Sequence, residues 1–128
     1  MIKKIITIII IIFAFFGLYK ITSKKPASIT IINPDSELFL FYGDTCPHCK
    51  DVEEFIAKNQ IDQKLKINNL EVYSNKPNSS LFFEMVNETC PNNSSPEGIP
   101  VPFLINKKDK QCFLGTPAIT EYLSEKSK

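Results

Sequence analysis

FLFYGDTCPHCKDVEEFI, Phe39 to Ile56, changes pattern twice in one short run. An apolar and aromatic stretch, Glu37 to Gly43 when extended by its neighbours, closes on a glycine and reads as a buried strand. After it come two cysteines, Cys46 and Cys49, with Pro47 and His48 between them. From Cys49 to Asn59 the pattern becomes helical: Val52, Phe55 and Ile56 share one face, while Lys50, Asp51, Glu53, Glu54 and Lys58 fall outside it. Strand, tight turn, then a dithiol at a helix start is the context that gives Cys-x-x-Cys a redox meaning.

The chemistry follows from that placement. At the first turn of a helix, unpaired backbone N–H groups and the positive end of the dipole favour an anion, so a Cys46 thiolate is stabilised there. Cys49 lies one turn on along the same face, within reach of a mixed disulfide formed at Cys46. His48, protonated or donating a hydrogen bond, would stabilise the thiolate further. Pro47 suits an early helical position, where no N–H is needed. Zinc is the rival use of these thiols. It would need two more ligands, and Cys90 with Cys112 could supply them, although their spacing does not repeat a zinc knuckle. A purely structural 46–49 disulfide would close too short a loop to constrain the unfolded chain much. The expectation is therefore a redox pair with no metal and no cofactor.

Working outward, "KLKINNLEVY" (64–73) alternates enough for a second strand, and "NSSLFFEMVNETC" (78–90) predicts a helix with Leu81, Phe82, Met85 and Val86 inward. After the polar "PNNSSPEG", "VPFLIN" (101–106) reads as a third strand, "KKDK" as a turn and "QCFLG" as a fourth strand of a hairpin. A last helix is expected with Thr116 as its N-cap, Pro117 at its first position, and Ile119, Tyr122 and Leu123 inward. The order is βαβαββα: an α/β fold with a mixed sheet flanked by helices. Packing of the second helix on the sheet could bring Cys90 near Cys112. A structural disulfide between them is the leading expectation, with two free buried thiols next.

The first twenty-one positions differ in kind. "MIKK" precedes "IITIIIIIFAFFGLY" (5–19), an uncharged run that with Lys20 snorkelling and Ile21 counted approaches the roughly 20 residues of a membrane span. Residues 1–21 are read as an uncleaved anchor or signal-anchor, since no small-x-small pair marks a cleavage site; a cleaved secretory signal is the rival. Residues 22–35 form a linker, with "SITIIN" (28–33) as a possible edge strand, and 36–128 the folded domain. Lysines flank the apolar run on both sides, so the positive-inside bias does not choose an orientation. The cysteines favour an oxidising compartment, which places the domain outside the cytoplasmic membrane as a single-pass protein.

Composition bounds the rest. With 128 residues and 43% hydrophobic content the chain suits one compact domain. A net charge of +1 with interspersed Lys and Glu leaves no basic stripe, which speaks against nucleic acid as a partner. The Asn-x-Ser/Thr matches at Asn78, Asn87, Asn92 and Asn93 are what an Asn-rich chain produces by chance.

The segments "FLFYGDTCPHC" before a helix and "GIPVPFLIN" before a hairpin and a last helix resemble the thioredoxin superfamily, at glutaredoxin size, over about residues 36–125. The Pro47-His48 dipeptide is similar to that of the bacterial extracytoplasmic dithiol oxidases of the DsbA type, without their helical insertion. The resemblance implies a thioredoxin-like fold and a cis-proline facing the dithiol, best matched by Pro102 with Pro100 as the other register. It also implies a substrate backbone lying against Val101 and Pro102. Two features depart from the family: there is no Trp, and Leu40 stands where thioredoxins carry a buried acid, leaving Asp44 or Glu37 for that role. The expected function is a membrane-anchored, extracytoplasmic thiol–disulfide oxidoreductase. It would act on cysteine-containing client proteins, in the oxidising direction, and be recycled by a further redox partner. A metal-binding or metal-delivering thiol module and a disulfide reductase of the same fold are the alternatives.

Overall fold

The computed structural model describes residues 31–93 and 98–128. The anchor expected at 1–21 lies outside the described residues, as do positions 22–30 of the linker. Among the described residues no helix is long and apolar enough to cross a membrane.

Strand β1 (Leu38–Tyr42) leads into helix α1 (Pro47–Lys58) and a short helix α2 (Ile61–Lys64), then strand β2 (Ile67–Glu71) and helix α3 (Lys76–Thr89). After a single 3₁₀ turn at Pro91–Asn93, strands β3 (Phe103–Asn106) and β4 (Gln111–Leu114) form a hairpin, and helix α4 (Thr116–Lys126) ends the chain. The sheet order is β2-β1-β3-β4. β1 pairs parallel with β2, Leu38 opposite Ile67, and antiparallel with β3, Leu40 opposite Leu104; β3 and β4 are antiparallel. This mixed sheet flanked by helices, with its nearby cysteine pair, is compatible with a thioredoxin-like fold.

The two-residue period of the strands explains the layering. Phe39 and Phe41 of β1 and Phe103 and Ile105 of β3 point to one face, where Phe82, Met85 and Val86 of α3 cover them. Phe41 and Phe82 stack with centroids 4.4 Å apart, and Phe103 meets Phe82 edge-on at 5.5 Å. Leu38, Leu40 and Leu104 point to the other face, against Val52 and Ile56 of α1 and Ile119 and Leu123 of α4. A central strand covered on both sides needs no polar alternation, which is why β1 reads as an unbroken apolar run.

Several expectations shift in detail. The segment 64–73 holds a shorter strand than its alternation suggests, because Gln60 takes a left-handed conformation (φ 53°) and turns the chain into α2, which buries Ile61. Of the possible edge strand at 28–33, positions 28–30 lie outside the described residues, and 31–33 are not in a strand. Asn33 is instead tied to β2 by its N–H donating to Asn68 Oδ1 at 2.8 Å and its carbonyl accepting from Asn68 Nδ2 at 3.2 Å. Gly115 (φ 82°), not Thr116, caps α4, so Pro117 sits at the second helical position. Helix α3 starts two residues early, at Lys76, where the Asn75 side chain accepts the Asn78 N–H at 3.2 Å. Asn78 itself is buried, its amide donating to the Glu71 carbonyl at 2.9 Å, which closes that glycosylation match to modification.

Cys90, at the end of α3, and Cys112, in β4, form a disulfide with their Cα atoms 6.3 Å apart. The leading expectation for this pair therefore holds, and it joins the α3 layer to the edge of the sheet.

Candidate functional site

The dithiol sits where β1 stops. Tyr42 ends the strand, and Gly43 to Cys46 form a turn in which the Cys46 N–H donates to the Gly43 carbonyl at 3.1 Å. Cys46 is the N-cap of α1, in extended conformation (φ −83°, ψ 117°), and its carbonyl accepts the first helical bond, from the Lys50 N–H at 3.3 Å. Pro47 is the first helical residue, so the amides at the helix start with no partner of their own in the helix begin at His48. Both cysteines are free thiols.

They are not equivalent. Both residues are buried, Cys49 at 1% exposure and Cys46 at 7%, so Cys46 is the less enclosed. Burial, together with a hydrogen bond to Cys46, pushes the Cys49 thiol up to about 12, against a smaller opposing effect from the Gly43 N–H, which donates to Cys49 Sγ at 3.5 Å. The charges of Cys46 and Glu53 add to the rise. Cys49 thus keeps its proton at neutral pH, while Cys46, also buried, is the less enclosed of the two.

The other expected site residues fall as follows. The Val101–Pro102 peptide bond is cis, and the Cys46 thiol donates to the Val101 carbonyl at 3.7 Å. Pro102 is buried, with its carbonyl accepting from Gly115 N–H at 3.0 Å, whereas Pro100 is exposed. The His48 side chain is 77% exposed, and its Nδ1 lies 3.7 Å from Asp51 Oδ2, one turn along α1. Its carbonyl accepts from the Thr116 hydroxyl at 3.0 Å, which locks the start of α4 to the start of α1. Glu37 stands at the other end of β1, paired with Lys108 at 3.0 Å, and Leu40 is buried among apolar side chains. Cys90 and Cys112, which a four-thiol metal site would require, are bonded to each other.

Tyr73 is the site residue that sequence reasoning missed. It lies two residues beyond β2, and a Cβ built on Gly43 would meet Cδ2, Cε2 and Cζ of its ring well inside contact distance. Burial first, and then the charges of Cys46 and Cys49, hold its phenol above the usual range. The clue available in the sequence was a glycine at a strand end that no turn type demanded. Glu53, on α1 four residues after Cys49, belongs by its helical position to a solvated face, yet its charge adds to the rise at Cys49.

This arrangement can attack a disulfide, hold a mixed disulfide at the less buried sulfur, and resolve it with the more buried one. Compared with protein-family models, with curated proteins and with solved structures, the chain has no match.

Proposed function

We propose that this protein is a thiol–disulfide oxidoreductase of thioredoxin-like fold, with Cys46 as the nucleophile and Cys49 as the resolving thiol. The observation that carries the reading is the asymmetry of the pair: two free, buried cysteines at the start of one helix, the outer one less enclosed, the inner one almost fully enclosed and holding its proton. A structural or metal-binding pair has no need of that difference.

In the oxidising direction, a client thiolate attacks Cys46 Sγ of the Cys46–Cys49 disulfide, and the Cys49 sulfur leaves and takes up a proton. A second client thiolate then attacks the client sulfur of the mixed disulfide, and Cys46 leaves as a thiolate at the helix N-terminus. The client gains a disulfide and its two electrons rest on the Cys46–Cys49 dithiol, to be withdrawn by a disulfide-bearing or quinone-linked recycling partner. The direction rests on two features. The dipole of α1 favours negative charge on Cys46, and the buried Leu40 leaves no carboxylate at that strand position to oppose it. Clients are cysteine-containing proteins that meet the surface around Val101 and Pro102. With residues 1–21 as anchor, the domain works on the extracytoplasmic side of the cytoplasmic membrane.

Equilibrating the full chain with glutathione and its disulfide, and reading the Cys46–Cys49 pair by peptide mass, tests the direction. A potential nearer to about −120 mV than to about −270 mV is expected. A value at the thioredoxin end would replace oxidase by reductase, and a pair that never exchanges with glutathione would remove the oxidoreductase reading altogether.

A further inference from the structure

We infer that Tyr73 is a catalytic residue of the dithiol site, its hydroxyl donating a hydrogen bond to the Cys46 sulfur whenever that sulfur carries negative charge; this rests on the redox reading of the pair.

Three observations converge on it. The first is proximity: the charges of Cys46 and Cys49 both act on the Tyr73 phenol and, after burial, hold it above its usual range. The second is the seat of the ring. Gly43 uses its carbonyl to hold the Cys46 N–H and its N–H to reach Cys49 Sγ, and the Tyr73 ring fills the space where a Cβ of residue 43 would be. One residue thus positions both sulfurs through its backbone and the phenol through its missing side chain. The third is the clamp behind the tyrosine. The Glu71 carboxylate accepts from the Tyr73 N–H at 2.6 Å, from the Ser74 N–H at 3.0 Å and hydroxyl at 2.7 Å, and from the Asn75 N–H at 3.0 Å. A carboxylate gathering three backbone amides and a hydroxyl makes a rigid turn, so a tyrosine 58% exposed is nevertheless held over the site. Burial alone would push the Glu71 carboxyl up, but these donors hold it below the usual range, so it stays ionised as the clamp requires. Glu71 is then a positioning residue acting through Tyr73.

A phenol has no role for a sulfur locked in a disulfide, which is a weak acceptor. It gains a strong partner when the bond opens and charge appears on Cys46, in the leaving step of client oxidation and in the reduced state. The donor also tempers the sulfur, because a stabilised thiolate is a weaker nucleophile.

The test uses the full chain with its Cys46–Cys49 pair reduced. The rate of its first reaction with a pyridyl disulfide is followed across pH by stopped flow for the wild type and Tyr73→Phe, which keeps the ring on Gly43 and removes only the donor. If the hydrogen bond shifts the thiolate population about tenfold, a nucleophilicity dependence of about half the log shift predicts a crossed pair of profiles: Tyr73→Phe about threefold slower on the acid limb and about threefold faster on the alkaline plateau. Glu71→Ala should move the wild-type profile the same way and add nothing in the Tyr73→Phe background. Superimposed profiles, or a uniform slowing at every pH, would overturn the inference. This readout needs no client and no redox buffer. Its failure leaves the oxidoreductase reading standing, whereas a wild-type pair inert to glutathione disulfide removes that reading without touching the profiles.

Discussion

Opening the Cys90–Cys112 bond should cost this domain about 3 kcal/mol, and the size of that loss can be worked from the chain. The bonded residues are 22 apart in sequence, and the loop-entropy relation gives about 11 cal/mol/K for a loop of that length, or about 3.4 kcal/mol at 25 °C. Packing adds to this in the same direction, since Cys90 is only 5% exposed and sits in the cluster with Phe82, Val86 and Phe103, where two separated thiols need more room than one bond. The chain has four cysteines, so a Cys46→Ser/Cys49→Ser variant leaves this pair alone, and reductant then changes one covalent bond and nothing else. Urea unfolding of that variant, followed by far-ultraviolet circular dichroism with and without dithiothreitol, reads the difference. At a slope of about 1 kcal/mol/M the midpoint should fall by about 3 M, with a steeper slope after reduction because the opened chain exposes more surface. A loss under about 1 kcal/mol, with two thiols titrated per chain, would refute the argument: the unfolded state would then be no freer without the bond than with it.

Two further outcomes follow from the asymmetry of the dithiol. Cys49→Ser should accumulate mixed disulfides with cysteine-containing proteins on non-reducing gels, because Cys46 can still attack and nothing resolves, whereas Cys46→Ser should trap few; equal trapping by both would reverse or remove the assignment. The buried Cys49 also links stability to pH. Its native pKa is raised, so the folded state keeps a proton that the unfolded chain gives up at about 8.5, and the contribution is fully present below that value and is lost as pH rises toward about 12. The reduced wild type should therefore lose stability relative to its Cys49→Ser variant above about pH 9, by at most about 1.4 kcal/mol per pH unit, measured by urea midpoints at pH 8 and pH 10.

The architecture was legible because its signals are local. An apolar run ending at Gly43, a dithiol and a one-sided helical pattern identify β1 and α1 within one segment. β3 and β4 announce themselves by an apolar run, a charged turn and a glycine. The short helix α2 was not legible, since four residues carry no period and the left-handed Gln60 that starts it is not a residue type that signals such a turn. Thr116 misled as a cap because the competing use of its hydroxyl, the His48 carbonyl, is distant in sequence. In the site, the order of the two cysteines along one helix face could be read from helix geometry, but not their burial. The place of His48 could not: the spacing suggests a group near the thiolate, but the second helical position points its side chain outward, and Asp51 one turn on receives it. Tyr73 was hidden for the opposite reason, as its neighbours Gly43 and Cys46 are brought to it only by the parallel pairing of β1 with β2.

The bonds between Asn33 and Asn68 fix a direction for the whole domain. They fasten the incoming chain beside β2 near the N-terminal end of β1, whereas the cysteines lie past the C-terminal end of the same strand. β1 has five residues, which at about 3.3 Å each put some 17 Å of strand between the point of entry and the start of the turn that carries the dithiol. Whatever precedes Asn33 is therefore attached at the pole opposite the sulfurs. The surface around the turn that carries the dithiol is thus left clear of the incoming chain at Asn33.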